Sequence, residues 1–242
     1  MIAADNDYSN YGWLATFAGL GFGSRCPPYA ETSAPSVRLI VHHVPVSSPF
    51  FRIEVDGPAR ILRLTSPDST NRLTRACVLA LTAAIDEAEL RRHLRPLIIA
   101  GNRQSFSVGA DLNEIAALGG PAAYEFSAMG QALMNAIATY PAPIIAAIEG
   151  HCMGGGLDLA LACHRRIAGP PAVFGHRGAA LGLMTGWGGT QLLPRLIGKS
   201  RALELFIAAE KISAVRALEI GLVDAIADDP VAEAMRQLHI SR

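Results

Sequence analysis

From Phe51 onward, apolar and polar positions follow regular periods. Phe51, Ile53 and Val55 alternate with polar residues, Gly57 and Pro58 turn the chain, and Ile61, Leu62 and Leu64 carry it back, a pattern that predicts a β-hairpin. Pro67 to Asn71 reads as a loop. Val78, Leu81, Ile85 and Ala88 then recur at helical spacing, and Leu97 to Ala100 is a short buried strand that ends at Gly101. Ala110 to Leu118 is expected to form a short helix stopped by Gly119, Gly120 and Pro121. A longer amphipathic helix follows, with Phe126, Met129, Leu133 and Ile137 on one face, and Pro141 and Pro143 end it.

Next come a β-branched strand, Ile144 to Ile148, a glycine turn at Gly154, Gly155 and Gly156, and a helical run from Leu157 to Cys163. Later helices are expected over Arg201 to Ala209, over Ala214 to Ile220 with Ser213 as cap and Gly221 as stop, and from Val231 to Leu238. Strands alternating with helices indicate an α/β protein with parallel pairing.

Residues 1–50 break this regularity. Gly19, Gly21 and Gly23 precede Pro27, Pro28, Pro35, Pro45 and Pro49, so the stretch reads as a flexible leader in front of one domain over 51–242. Its GLGFG run lacks the flanking strand and helix of a dinucleotide fingerprint. His42 and His43 read as surface imidazoles. Acidic Asp5 and Asp7 precede the apolar run from Trp13 to Gly23, which is too short to span a bilayer, so neither an export signal nor a membrane span is expected.

Composition narrows the function. Half of the 242 residues are hydrophobic, and 21 Lys+Arg balance 21 Asp+Glu, so no global field draws in nucleic acid or an anionic membrane. Lysine occurs only at Lys199 and Lys211. Cys26, Cys77, Cys152 and Cys163 have no metal-ligand spacing and read as buried thiols suited to a reducing cytoplasm.

Two glycine-bearing segments carry the candidate chemistry. SFSVGADLNEIAAL (Ser105 to Leu118) and GHCMGGGLDLALAC (Gly150 to Cys163) each follow a strand and place glycine where backbone can approach a ligand. Two convergent backbone N–H groups are what an oxyanion hole requires.

The chain from about Phe51 to Leu238 resembles the crotonase, or enoyl-CoA hydratase/isomerase, superfamily. The resemblance rests on PDSTNRLTR, the Gly109–Ala110–Asp111 segment, PAPIIAAIEGHCMGGG, the RIAG-to-FGH run, GLMTGWGGTQLLPRLIG and ISAVRALEIGLVD. It implies an α/β fold of the ClpP/crotonase type, a spiral of ββα units with surrounding helices. The implied substrate is a coenzyme A thioester, with coenzyme A entering as part of the substrate and no separate cofactor or metal. Ala110 and Gly155 would hold the thioester carbonyl, while Leu73, Asp111, Leu112 and Asn113 would line the path of the pantetheine and adenine. Homo-oligomers, trimers or pairs of trimers, are also implied, as is a cytoplasmic location.

The sequence departs from the family at its acid–base positions. Where hydratases of the family carry two glutamates, this chain has Asp158 and Gly178. Classical hydration, which uses both carboxylates on one water, is therefore expected to be weak, with Asp158 as the remaining acid–base group. His176, two residues before Gly178, is open to two roles: proton transfer, or the hydrogen-bonding role of a glutamine usual at that position. His151 is expected to shape the glycine loop, and His164 to lie on the surface. A catalytic aspartate of the naphthoate-synthase branch falls on Thr185. The C-terminal helical region is expected to be shorter than the family's and to give the acyl pocket less cover. Three readings follow: a weak hydratase-like protein, another reaction of the superfamily (isomerase, decarboxylase or thioester hydrolase), or a silent acyl-CoA-binding subunit.

Overall fold

Strand β1 (Phe51–Asp56) pairs antiparallel with β2 (Ala59–Leu64), Phe51 facing Leu64 across the ladder, as the alternating pattern requires. This hairpin opens the computed structural model, which describes residues 48–89 and 94–240. All of these lie in one compact unit, Val44–Arg242. The leader expectation, with the GLGFG run, His42 and His43, lies almost wholly outside the described residues.

Helix α1 (Arg75–Glu89) follows, then three repeats of strand, strand and helix. Strand β3 (Leu97–Ala100) leads to β4 (Ser105–Ser107) and to helices α2 (Leu112–Ala116) and α3 (Gly120–Ala138). Strand β5 (Ile144–Ile148) leads to β6 (His151–Met153) and α4 (Gly155–Ala162). Strand β7 (Arg165–Ala168) leads to β8 (Val173–Gly175), a 3-10 turn at Ala179–Leu181 and α5 (Gly189–Ile197). Helix α6 (Lys199–Ala208), strand β9 (Ile212–Ser213), α7 (Ala214–Glu219), β10 (Ala225–Ile226) and α8 (Pro230–Ile240) complete the described chain.

Each repeat gives one strand to each of two sheets. The six-stranded sheet has the order β1-β2-β3-β5-β7-β10 and the four-stranded sheet the order β4-β6-β8-β9. Pairing between successive repeats is parallel, so every crossover delivers its following loop to the same edge.

Register explains the two-faced core. Ile61, Ile98 and Ile145 stand side by side across β2, β3 and β5 and belong to one cluster with Ala234 and Leu238 of α8. Their neighbours Leu62, Ile99 and Ala146 point the other way, into the larger cluster that holds Leu81 and Ile85 of α1 and Leu133 and Ile137 of α3. Each fully buried side chain of this size contributes about 1.5–3 kcal/mol.

Several boundaries differ from the sequence expectation, with α2 covering Leu112–Ala116 rather than Ala110 to Leu118 and α6 starting at Lys199 rather than Arg201. Gly119, Gly120 and Pro121 end α2 but also open α3, because proline has no use for its missing N–H in a first turn. Helix α4 begins at Gly155 rather than Leu157. Gly154, at φ +51°, caps it and accepts from the N–H groups of Leu157 and Asp158, so the turn runs straight into the helix.

Candidate active site

The loop before α1 is stitched onto the segment after β4. Asn71, buried and at φ +51°, donates from Nδ2 to the carbonyls of Ser105 (2.9 Å) and Phe106 (3.1 Å). Ser107 Oγ donates back to Asn71 O at 2.7 Å, and the Leu73 N–H donates to Gly109 O at 2.9 Å. Leu73 and Ala110 thus pair as a parallel bridge. Leu73 takes part through its backbone, since its side chain is in the core.

Beyond Ala110, Asp111 caps α2 by accepting from the N–H groups of Asn113 (2.8 Å) and Glu114 (3.3 Å), and it faces Arg72 at 3.6 Å. Those N–H bonds, with Arg72, hold its carboxyl below the ordinary carboxylate range. Leu112 and Asn113 are exposed on the following turn.

This segment lies against the start of α4. Gly109 sits at φ +96°, and a Cβ there would stand 2.7 Å from Met153 O and 2.9 Å from Gly155 N. A Cβ on Gly155 would in turn lie 3.3 Å from Ala110 N and 2.6 Å from Cζ3 of Trp187. Only glycine permits these approaches, and they set the backbone nitrogens of Ala110 and Gly155 beside each other. Gly155 is also the first residue of α4, where helix geometry leaves N–H groups unpaired and the dipole favours negative charge.

One helical turn further, Asp158 is 1% exposed. Thr185 donates its hydroxyl to Asp158 Oδ2. His176, also buried, places Nε2 2.9 Å from Asp158 Oδ1, within ion-pair range. The ring N–H does not lie along that line, so neither atom has a hydrogen-bond partner among the described residues. The His176 ring packs on Phe206, with centroids 5.2 Å apart. Gly189, first residue of α5, closes the cluster, and a Cβ there would collide with Asp158 Oδ1.

Gly178 belongs to a different arrangement. Its carbonyl accepts from the N–H groups of Leu181 and Leu183, both at 2.8 Å, and a Cβ there would meet Leu183 O at 2.6 Å. The position matching the second glutamate is thus turned toward a folded-back loop. His151 is half-buried on β6, and its Nδ1 has no hydrogen-bond partner among the described residues. His164 is exposed, and its Nδ1 accepts from the Ile144 N–H at 3.0 Å, tying β7 to β5.

The structure therefore brings Leu73, Ala110, Asp111 and Gly155 to one edge and Asp158 with His176 beneath it. Thr185, Trp187 and Gly189 were not identified as site residues from sequence. Their signal is the run TGWGG, whose small residues mark close backbone approach.

Three ββα turns divided between two sheets, with two glycine segments meeting above a buried carboxylate, define a crotonase-type α/β protein. The chain belongs to the enoyl-CoA hydratase/isomerase family, whose model matches residues 59–240. It is 41% identical over 178 residues to a Bacillus subtilis (strain 168) protein described as "Probable enoyl-CoA hydratase", covering 73% of this chain and 69% of the relative. Among solved structures it is similar to an enoyl-CoA hydratase from Bacillus anthracis, with a TM-score of 0.75 and 31% identity over 78% of this chain and 75% of that one. DspI of Pseudomonas aeruginosa gives a TM-score of 0.76 and 31% identity over 79% and 74% of the two chains. Among the described residues, no helix is long and apolar enough to cross a membrane, and no group of three or more His, Cys, Asp or Glu is placed to hold a metal ion.

Proposed function

We propose that this protein binds an acyl-CoA thioester along the Leu73–Ala110 edge. The carbonyl oxygen accepts from the N–H groups of Ala110 and Gly155, and Asp158 is the acid–base group. The observation that carries this reading is the approach of Gly155 to Ala110 N, one helical turn before a buried carboxylate. Two backbone donors aimed at a developing enolate oxygen need no reorganisation during the reaction, and each is worth about 3 kcal/mol in comparable sites. Asp158, held by Thr185, takes the proton from the acyl Cα or returns it. His176 Nε2, 2.9 Å from Oδ1, is the polar group that borders this carboxylate on its other side.

Classical hydration needs a second carboxylate to hold the water. Gly178 supplies none, and the Leu183 carbonyl fills the direction in which a side chain would grow. Single-carboxylate chemistry through an enolate, such as double-bond isomerisation, is accordingly favoured over hydration. A silent acyl-CoA-binding subunit is the second reading, and Gly178 is the observation that favours it.

The test is to titrate the purified protein with butyryl-CoA by calorimetry and to follow the enoyl absorbance of crotonyl-CoA. Saturable binding with slow loss of absorbance supports the reading. Fast hydration would overturn its weak-activity clause, and absence of any thioester binding would overturn it whole. Asp158→Asn separates enzyme from silent subunit, since it stops turnover of an acyl-CoA panel only if the protein is an enzyme. We also propose a cytoplasmic location, which suits buried thiols at Cys77, Cys152 and Cys163, and homo-oligomers, which would cover the exposed Leu203 and Ile207 of α6.

A further inference from the structure

We infer that Trp187 sets the acyl-chain length: its indole occupies the space between α3 and α4 beside Ala110 and Gly155, so that the site takes short acyl groups and turns long ones away. This rests on the thioester reading above and goes beyond it by naming the substrate class.

The indole stands at the two donors. A Cβ on Gly155 would meet Cζ3 at 2.6 Å and Ala110 N at 3.3 Å, so the six-membered ring borders the carbonyl position. In the thioester reading the coenzyme A side lies over Leu112 and Asn113, both of which are exposed. The acyl side therefore runs inward, toward the α3–α4 layer where the ring lies.

The wall is also fixed. Trp187 is 3% exposed, and its Nε1–H donates to Phe126 O at 3.2 Å. Its ring packs on Phe126 with centroids 5.3 Å apart and lies against α3 at Gly130, where a Cβ would collide with Cδ1. Glycine at 130 and 155 leaves room for the indole, and the indole uses that room. Swinging it aside would break a buried hydrogen bond and an aromatic pair, so the slot does not open for a longer chain at small cost. Thr185, two residues earlier, holds Asp158, so one segment positions the carboxylate and closes the acyl path.

The experiment compares acetyl-, butyryl- and octanoyl-CoA by calorimetry on the wild-type chain, Trp187→Phe and Trp187→Ala. Wild type is expected to bind butyryl-CoA more tightly than octanoyl-CoA. In Trp187→Ala the order reverses, with a gain of about fourfold for each extra methylene taken into the opened slot; Trp187→Phe falls between. Equal binding of butyryl- and octanoyl-CoA by wild type, or an unchanged order in folded Trp187→Ala, overturns the inference while leaving the thioester reading intact. Failure of every thioester to bind wild type overturns both. Should Trp187→Ala not fold, the wild-type order and the Trp187→Phe shift decide.

Discussion

Thr185 donates its hydroxyl to Asp158 across a gap of 27 residues in sequence. Two residues later Trp187 packs on Gly155, one turn before Asp158 on the same helix. The segment between the 3-10 turn and α5 thus covers the face of α4 that carries both halves of the proposed chemistry. Five further outcomes follow from this arrangement and from the groups around it.

Replacing Thr185 with valine leaves a buried carboxylate oxygen without its donor. Denaturant unfolding should show a loss of about 1–3 kcal/mol. Turnover should fall more than thioester affinity, because the hydroxyl fixes the carboxylate rather than the substrate. Thr185→Ser should recover most of both, and equal stability of the valine variant would show that the bond contributes nothing.

Restoring the family's second carboxylate by Gly178→Glu should not restore hydration. The new Cβ would stand 2.6 Å from Leu183 O, so the loop must shift before the carboxylate reaches the site. The expected result is crotonyl-CoA hydration no faster than wild type, with overpacking that costs about 1–3 kcal/mol of stability.

Gly155→Ala and Gly120→Ala make a matched pair. At Gly155 a methyl meets the Trp187 ring at 2.6 Å and presses toward Ala110 N, so thioester binding and stability should both drop. Gly120 opens α3 with nothing within 4 Å of a Cβ, and alanine there should stabilise by about 0.4–1 kcal/mol while binding is unchanged. Isothermal binding and thermal melts check both variants.

Two carboxyls, exposed Asp68 and half-buried Glu233, should titrate low. Hydrogen bonds from the Thr70 side chain and backbone hold Asp68 at about 2, down from 3.8. The Arg236 guanidinium, followed by Gln237, holds Glu233 at about 2, down from 4.5. Depressed folded values mean that the unfolded chain binds protons first, so the stability these groups contribute is complete above about pH 4.5 and is lost as pH falls through about 2. Carboxyl NMR titration should place both midpoints near 2, and values near the ordinary ones would remove this acid-limb contribution.

Thiol reagents should find Cys77, Cys152 and Cys163 closed. All three are buried, and burial pushes Cys77 and Cys163 up to about 12 and Cys152 well above its ordinary value. In a Cys26→Ser background, labelling at mild alkaline pH should be negligible until denaturant is added. Fast labelling of the native chain would show that the core around α4 opens.

Much of this fold was legible one element at a time. The Phe51–Leu64 hairpin, the Ile144–Ile148 strand and the Ser213 cap, which accepts from Arg216 N at 3.2 Å, all follow from local period and local hydrogen bonding. Strands β4, β6 and β8 escaped because three residues carry no measurable period. Helix α5 escaped because it opens in glycines and contains Pro194, both of which argue locally against a helix.

For the site, sequence alone determined the residue types and their order: the two glycine segments, Asp158 and a side-chain-free Gly178. Tertiary structure alone decided that Gly155 meets Ala110, that Asp158 meets Thr185 and His176, and that Trp187 fills the space beside them. The physical reason is range. Local periodicity reports which face of a strand or helix is buried, whereas the meeting of segments from successive repeats depends on parallel crossovers that return each loop to one edge of the sheet. The glycine turn at Gly154 to Gly156, a generic helix start in the sequence, becomes one side of a site only because those crossovers place Ala110 and Trp187 against it.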